Sequence, residues 1–412
     1  MTRMKESGID WIGQIPEEWN LGKVKFFAKI SAGATPDRNN IFFWNGDINW
    51  MSSGEVNQGV VTHTAETITN LALKRTSTKL LPIGTVMLAL NGQGKTKGTA
   101  AVLAIETASN QSLASFIVDD ARVNNIYLYY FLKANYSNIR GLKGDDRDGL
   151  NLQLVSNIII PLLDIKEQKK IADFLDKKTA QLDKVKALLE EQIQKLKDYR
   201  ASLIYETVTK GLDKTVPMKD SGVDWIGQIP QGWEISKIRY LVTTRSEKRI
   251  TDSSIPYIGL ENIESQTGKF VETGIQVDKS ENIVVEIGDV LFGKLRPYLR
   301  KYWRATFPST ASSEFLVFQS SELDMNFLYY AIQSDSFIEE VNTSTYGSKM
   351  PRASWEYIKN MKIAFPSSLV EQQKIADFLD KKTILIDKLI QIKNEQIDNI
   401  NKQRQTLIYD YV

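Results

Sequence analysis

The sequence repeats itself once. Met4-Lys5-Glu6-Ser7-Gly8-Ile9-Asp10-Trp11-Ile12-Gly13-Gln14-Ile15-Pro16 returns as Met218-Lys219-Asp220-Ser221-Gly222-Val223-Asp224-Trp225-Ile226-Gly227-Gln228-Ile229-Pro230, and each block closes on a tryptophan, Trp19 and Trp233. Residues 167–179 recur at 371–383 with one change, and Leu203-Ile204-Tyr205 returns as Leu407-Ile408-Tyr409. Two units of about 200 residues are far longer than a solenoid repeat, so the chain is a duplicated domain pair.

Between the matching blocks the two middles differ in residues and share a plan. Residues 47–52 and 255–260 are apolar, β-branched runs bounded by Gly, Asn and Pro, and so are 84–88 and 288–292. Such runs predict half-buried strands. An aromatic stretch around residues 127–132, matched at 327–330, predicts a short helix in each copy. The expected fold is α+β.

The tails are of another kind. Leucines fall seven apart at Leu175, Leu182, Leu189, Leu196 and Leu203, and a second set stands four residues before each, at Ile171, Lys178, Val185, Gln192 and Tyr199. This reads as a coiled-coil seam, uninterrupted by Pro or Gly until Gly211. The second tail repeats it less regularly through Leu379, Ile386, Ile400 and Leu407, with Ile390 and Ile397 beside the seam and Lys393 breaking it. A helix of about 40 residues is roughly 60 Å long and needs a partner to bury its stripe. The other copy's helix is the expected one. The domain organisation read this way is a first globular domain at 1–164, a long helix at 165–210, a second globular domain at 211–369 and a second long helix at 370–412.

Duplication favours a pseudo-twofold axis. If it crosses the helices, they run antiparallel and hold the two globular domains apart. The N-terminal block then docks near the chain's own C-terminus. B-DNA has twofold axes perpendicular to its own, so a reader of this symmetry suits two half-sites separated along the duplex. Residues 293–304 supply a contact surface, with five basic residues, three aromatics and no acid. Within that segment Lys294, Arg296, Tyr298, Arg300 and Lys301 are the candidate DNA-binding residues. The equivalent place in the first copy, residues 91–99, offers Asn91, Gln93, Lys95 and Lys97 among glycines that permit close approach. Lys143 and Arg147 in one later loop, and Lys349 and Arg352 in another, complete the set.

Other chemistries fit poorly. There is no cysteine and a single histidine, His63, which removes thiolate zinc sites and leaves no partner for a histidine metal site or a Ser-His-Asp triad. His63 reads as a surface residue. Net charge is only +2, so any nucleic-acid affinity must be local. Residues 89–96 resemble a relaxed phosphate-binding loop, but residues 99–105 after it read as a strand where a helix is required. The acidic run Asp145-Asp146-Arg147-Asp148 reads as a charged turn, and no Asn-Pro-Pro-aromatic methyltransferase motif is found. Neither a signal peptide nor a membrane-spanning stretch is evident, and the cytoplasm is the expected location.

The Trp-Ile-Gly-x-Ile-Pro opening and the Glu-Gln-x-Lys-Ile-Ala-x-Phe-Leu-Asp helix start, each present twice, resemble the specificity subunits of type I restriction-modification systems. The resemblance spans the whole chain. It implies a non-catalytic protein whose variable middles are target-recognition domains, each reading half of a bipartite DNA site. It also implies that the paired helices set the spacing and bind two methyltransferase subunits, through which restriction subunits join. S-adenosylmethionine, ATP and Mg²⁺ then belong to those partners, and no metal or cofactor to this chain. A coiled-coil scaffold that binds only protein explains the helices but leaves the matched basic loops without a purpose.

Overall fold

The computed structural model describes residues 3–142, 149–251, 255–274, 280–347 and 349–412. The chain is α+β and falls into two compact units: Met1–Leu188 with Glu395–Val412, and Leu189–Asn394.

In the first unit, the main sheet has the strand order Ala28–Ala32, Leu113–Val118, Val86–Ala89, Ala100–Leu103, Val60–Val61. Its first four strands are antiparallel, and Val60–Val61 joins the edge in parallel. In the second unit, Thr243–Thr244, Phe315–Gln319, Val290–Gly293 and Tyr302–Arg304 form the corresponding antiparallel four. A parallel pairing recurs in the smaller sheets: Trp44–Met51 with Ala108–Ser109, and Tyr257–Ile258 with Ser309–Ala311.

The central strands are buried on both faces, and their alternation sorts the core. Val86 and Leu88 face the cluster that contains the aromatic helix Asn125–Ala134, while Met87 and Ala89 face a second cluster. Val290 and Phe292 likewise oppose Leu291 in the second unit. Each aromatic helix starts at a side-chain cap, Asn124 accepting from the Tyr127 amide and Asp324 from the Phe327 amide.

The long helices run Ile165–Lys210 and Leu369–Tyr411. The first stops where Gly211 takes a left-handed conformation, φ 69°. Within each unit, a segment of one pairs antiparallel with a segment of the other. In the first unit Phe174 meets the Tyr411 ring at 4.7 Å, and Arg404 donates to Asp183 at 3.2 Å. In the second unit Lys393 donates to Gln192 at 2.5 Å and Arg200 pairs with Asp387 at 3.7 Å. The N-terminal block lies against the C-terminus, with Trp11, Ile12, Ile408 and Val412 sharing one cluster.

All nine seam positions face inward to some degree: Leu175, Leu379 and Ile386 are buried, and Leu182, Leu189, Leu196, Leu203, Ile400 and Leu407 are half-buried. The second set of the seam is displaced by one residue from the expected phase. Ala172, Thr179 and Ile193, each three residues before a leucine, are buried, whereas Val185 is 47% and Tyr199 55% exposed, and Lys178 and Gln192 are exposed. Both sets alternate steps of four and three with the leucines, so spacing alone leaves the phase open, and burial sets it at the later position of each pair. Lys393 sits half-buried in this stripe and uses its ammonium on Gln192. Leu175→Ala is expected to destabilise the protein by about 2–5 kcal/mol, and Val185→Ala to stay within about 0.5 kcal/mol, both read from chemical denaturation.

Candidate nucleic-acid interface

In an antiparallel sheet the end of one strand and the start of its neighbour share an edge. The turn after Val86–Ala89 and the turn after Val290–Gly293 therefore leave corresponding edges of the two main sheets. These turns carry residues 91–99 and 294–301. The strand Ala100–Leu103 that follows the first turn rules out a phosphate-binding loop there, since no helix N-terminus faces the glycines.

In the first unit Asn91, Gln93 and Lys95 are exposed and Lys97 is half-buried. The turn is pinned from beneath: Tyr136 donates to the Lys95 carbonyl at 2.9 Å and Arg140 to the Lys97 carbonyl at 3.0 Å. Gly98, at φ 84°, passes so close to Arg140 that an added Cβ would lie 3.2 Å from the arginine Cβ. That glycine serves internal packing, not approach to a ligand. Residues 149–150 return alongside, where the Leu150 amide donates to the Leu90 carbonyl at 3.1 Å. Lys143, Arg147 and the acidic run 145–148 lie outside the described residues.

In the second unit the turn is more tightly built. Arg296 and Arg300 both adopt left-handed backbone conformations, φ 52° and 53°, around a helical turn at Pro297–Leu299. A left-handed non-glycine residue costs about 1–3 kcal/mol and persists where its surroundings hold it. Here the Arg296 amide donates to the Pro351 carbonyl at 2.7 Å, its guanidinium reaches the Lys349 carbonyl at 3.4 Å, and Arg300 forms an ion pair with Asp335. The turn and the 346–352 loop are thereby clipped together. Arg296, Tyr298 and Lys349 end up exposed on one surface with Tyr346 and Met350.

Two of the other expected contacts in this unit, Lys301 and Arg352, bond to groups of the protein itself. Lys301 points back into the protein, donating to the Leu260 and Ile263 carbonyls at 2.7 Å each, and burial pushes its pKa down. Burial also lowers Lys294, which lies between Glu314 and Arg352. Arg352 donates to Glu314 at 2.7 Å. Sequence marks such residues as basic but not which way they turn. Tyr346 and Met350 lie in a loop the sequence singles out, yet only their exposure marks them individually.

His63 is exposed, its ring within 3.2 Å of the Thr62 hydroxyl. Among the described residues no three His, Cys, Asp or Glu side chains gather as a metal site, and no helix is long and apolar enough to cross a membrane.

Comparison with known proteins agrees with this architecture. The family described as the type I restriction modification DNA specificity domain matches residues 16–197 and again 230–402. The MjaVIII specificity subunit of Methanocaldococcus jannaschii, a type I restriction enzyme component, is 24% identical over 96% of this chain and 92% of its own length. The EcoDI specificity subunit of Escherichia coli is 20% identical over 71% of this chain and 70% of its own. A solved structure of a type I R-M system aligns with a TM-score of 0.70 at 15% identity, covering 96% of this chain and 98% of that one. The HsdS subunit from Thermoanaerobacter tengcongensis aligns at 0.54 and 13% identity, over 96% and 97% of the two chains.

Lys301→Met removes the ammonium shared by the Leu260 and Ile263 carbonyls and is expected to destabilise the protein by about 1–3 kcal/mol. Lys349→Met, on the exposed surface, is expected to stay within about 0.5 kcal/mol in the same denaturation measurement.

Proposed function

The chain belongs to the family of type I restriction-modification DNA specificity domains, and from that premise we propose that it reads a bipartite DNA site for a complex whose catalytic subunits are other chains. Target recognition within a multisubunit system is the family's role, and a non-catalytic one. The finer reading gives each unit one half-site.

One contrast carries it. The blocks that build the scaffold are nearly identical between copies, while the turns at corresponding sheet edges differ completely: Asn91, Gln93, Lys95 and Lys97 against Arg296 and Tyr298. A constant scaffold with unlike tips suits two unlike half-sites. Asn and Gln match adenine edges and Arg matches guanine, while the lysines suit phosphates.

A second repeated feature supports two equivalent partner contacts. Outside the seam, Val185 and Leu188 are exposed on the first long helix, and their repeat equivalents Leu389 and Ile392 are exposed on the second. Apolar pairs left bare at matching positions suit two copies of one partner. We assign them to two methyltransferase subunits, through which restriction subunits would join. S-adenosylmethionine, ATP and Mg²⁺ would act in those partners.

DNA footprinting tests the reading: a discontinuous site protected in two parts, with a steep salt dependence, is expected. Arg296→Ala is expected to weaken binding by about 1–3 kcal/mol and relax specificity in one half only, and Asn91→Ala in the other. Equal affinity for all sequences would refute it. Lengthening both long helices by whole turns is expected to change the gap and leave the half-sites alone. Leu389→Asp with Ile392→Asp is expected to reduce bound methyltransferase from two copies to one, measured by native mass spectrometry, without loss of DNA affinity.

A further inference from the structure

The first unit holds a groove of about 1010 Å³ between the 56–60 turn, the strand Ala100–Leu103, the aromatic helix and the paired long-helix segments. Tyr129, Tyr130, Lys133, Asp176 and Arg404 line it. The duplication shows what such a groove accepts, because the second unit carries the same receptor with its contents in place.

The ladder registers equate the two. Leu88 pairs with Ala100 and Val86 with Val102, as Phe292 pairs with Tyr302 and Val290 with Arg304. Ala100 and Val102, both at the groove, therefore stand where the second unit has a tyrosine and an arginine. The neighbouring turn is shorter too. Glu55 bonds the Ser52 amide as Asn262 bonds that of Gly259. Gly59 and Gly268 sit under the hydroxyls of Tyr129 and Tyr329, at φ 71° and 69°. Three residues separate the first pair of markers and five the second.

In the second unit the space is filled by the chain itself. The Tyr302 ring stands edge-on to Tyr329 at 5.9 Å, and its hydroxyl donates to the Gln266 carbonyl at 2.5 Å. The same carbonyl accepts from Arg200 at 3.3 Å. Arg304 binds Asp380 at 3.2 Å and lies over the Tyr329 ring. The receptor groups recur in the first unit as Tyr129, Arg404 and Asp176. There Lys133 takes over the cation's position, donating to the Tyr129 hydroxyl at 2.9 Å and lying 5.1 Å from the ring centre. Arg404 reaches Asp183 and has no carbonyl acceptor among the described residues. A ring and a carbonyl are the two parts without a counterpart.

We propose that this groove is a docking site for a peptide segment of a partner protein that inserts an aromatic side chain beside Tyr129 and offers a backbone carbonyl to Arg404. With Lys95, Lys133 and Arg404 outnumbering Asp176 and Asp183 on its lining, the groove favours an aromatic residue with neutral or acidic neighbours. The inference does not depend on the DNA reading or on the helix contacts, and Lys95 is the one proposed DNA contact that also lines the groove.

The test is a titration of the full-length chain with the peptide acetyl-Gln-Tyr-Gly-Glu-amide, followed through the methyl NMR signals of Ala100 and Val102. Saturable shifts at millimolar peptide are expected, at least tenfold weaker when alanine replaces the peptide's tyrosine. Ala100→Tyr restores the second unit's plug and is expected to raise Tm and abolish binding. Val102→Arg, which fills the groove from its other side, is expected to abolish binding even if Ala100→Tyr fails to fold. Absence of saturation in the unaltered chain, equal binding of the alanine peptide, or undiminished binding to folded Val102→Arg would each overturn the proposal.

Discussion

Two buried glutamines hold this architecture together. Gln168, at the start of the first long helix, donates to the Leu163 carbonyl at 2.9 Å and the Arg122 carbonyl at 3.0 Å, and accepts from the Asn124 amide at 2.9 Å. Gln372 repeats the arrangement, donating to Pro366 and accepting from the Asp324 amide, both at 2.8 Å. An unpaired buried amide costs about 1–3 kcal/mol, so each glutamine acts as a geometric requirement. It forces the long helix to begin beside the N-cap of the aromatic helix. Ten residues or so further along the helix, Tyr130 donates to Asp176 at 2.7 Å, and Tyr330 to Asp380 at 2.5 Å, with Thr179 and Thr383 in contact. Burial raises both phenols, so they remain donors at neutral pH. Each globular part is thus fixed to its helix at two points, and its sheet edge inherits a defined orientation relative to the helix within that unit.

These contacts explain why the repeated block has the sequence it has. The Glu-Gln start and the later Leu, Asp and Thr of that block occupy consecutive turns of one helix face. Leu175 and Leu379 fill the core between the polar clamps. Further along, Arg200 with Asp387 and Arg404 with Asp183 are repeat equivalents, each within its own unit. Leucines alone tolerate slippage by a heptad. A charged pair that meets in one alignment makes the slipped alternatives leave charges unmatched, which selects a register more than it adds stability.

Much of this was legible in the residues, and the exceptions have physical causes. Duplication, the α+β middles, the long helices and the rejection of a phosphate-binding loop follow from patterns of period two, period seven and turn chemistry, which are local. The sequence places the seam's second set one residue out of phase because Val185 and Tyr199 are apolar and Thr179 and Arg200 are not. Apolarity marked the wrong side, and Tyr130 and Asp387, which make polar seam positions acceptable, lie far away in sequence. The internal bonds of Lys301 and Arg352 are hidden from the sequence for the same reason: a basic run shows charge, whereas the carbonyls and carboxylate that bind those charges come from other segments. The left-handed Arg296 and Arg300 carry no sequence signal, since such conformations ordinarily call for glycine.

The two units also differ in how firmly they present their tips. The second unit's turn stores unfavourable backbone conformations and is fastened by the Pro351 and Lys349 carbonyls and by Asp335, so Arg296 and Tyr298 are displayed with little freedom left to lose on binding. The first unit's turn relies on three glycines and on bonds from Tyr136 and Arg140 to its own carbonyls, a network that does not include the side chains of Asn91, Gln93 and Lys95. A guanidinium held in advance suits a demanding two-point match, whereas exposed amides outside such a network must be ordered on binding at some entropic cost. Identical clamps on the helices therefore carry recognition surfaces that differ in rigidity as well as in chemistry, and each can change without disturbing the buried glutamine that anchors it.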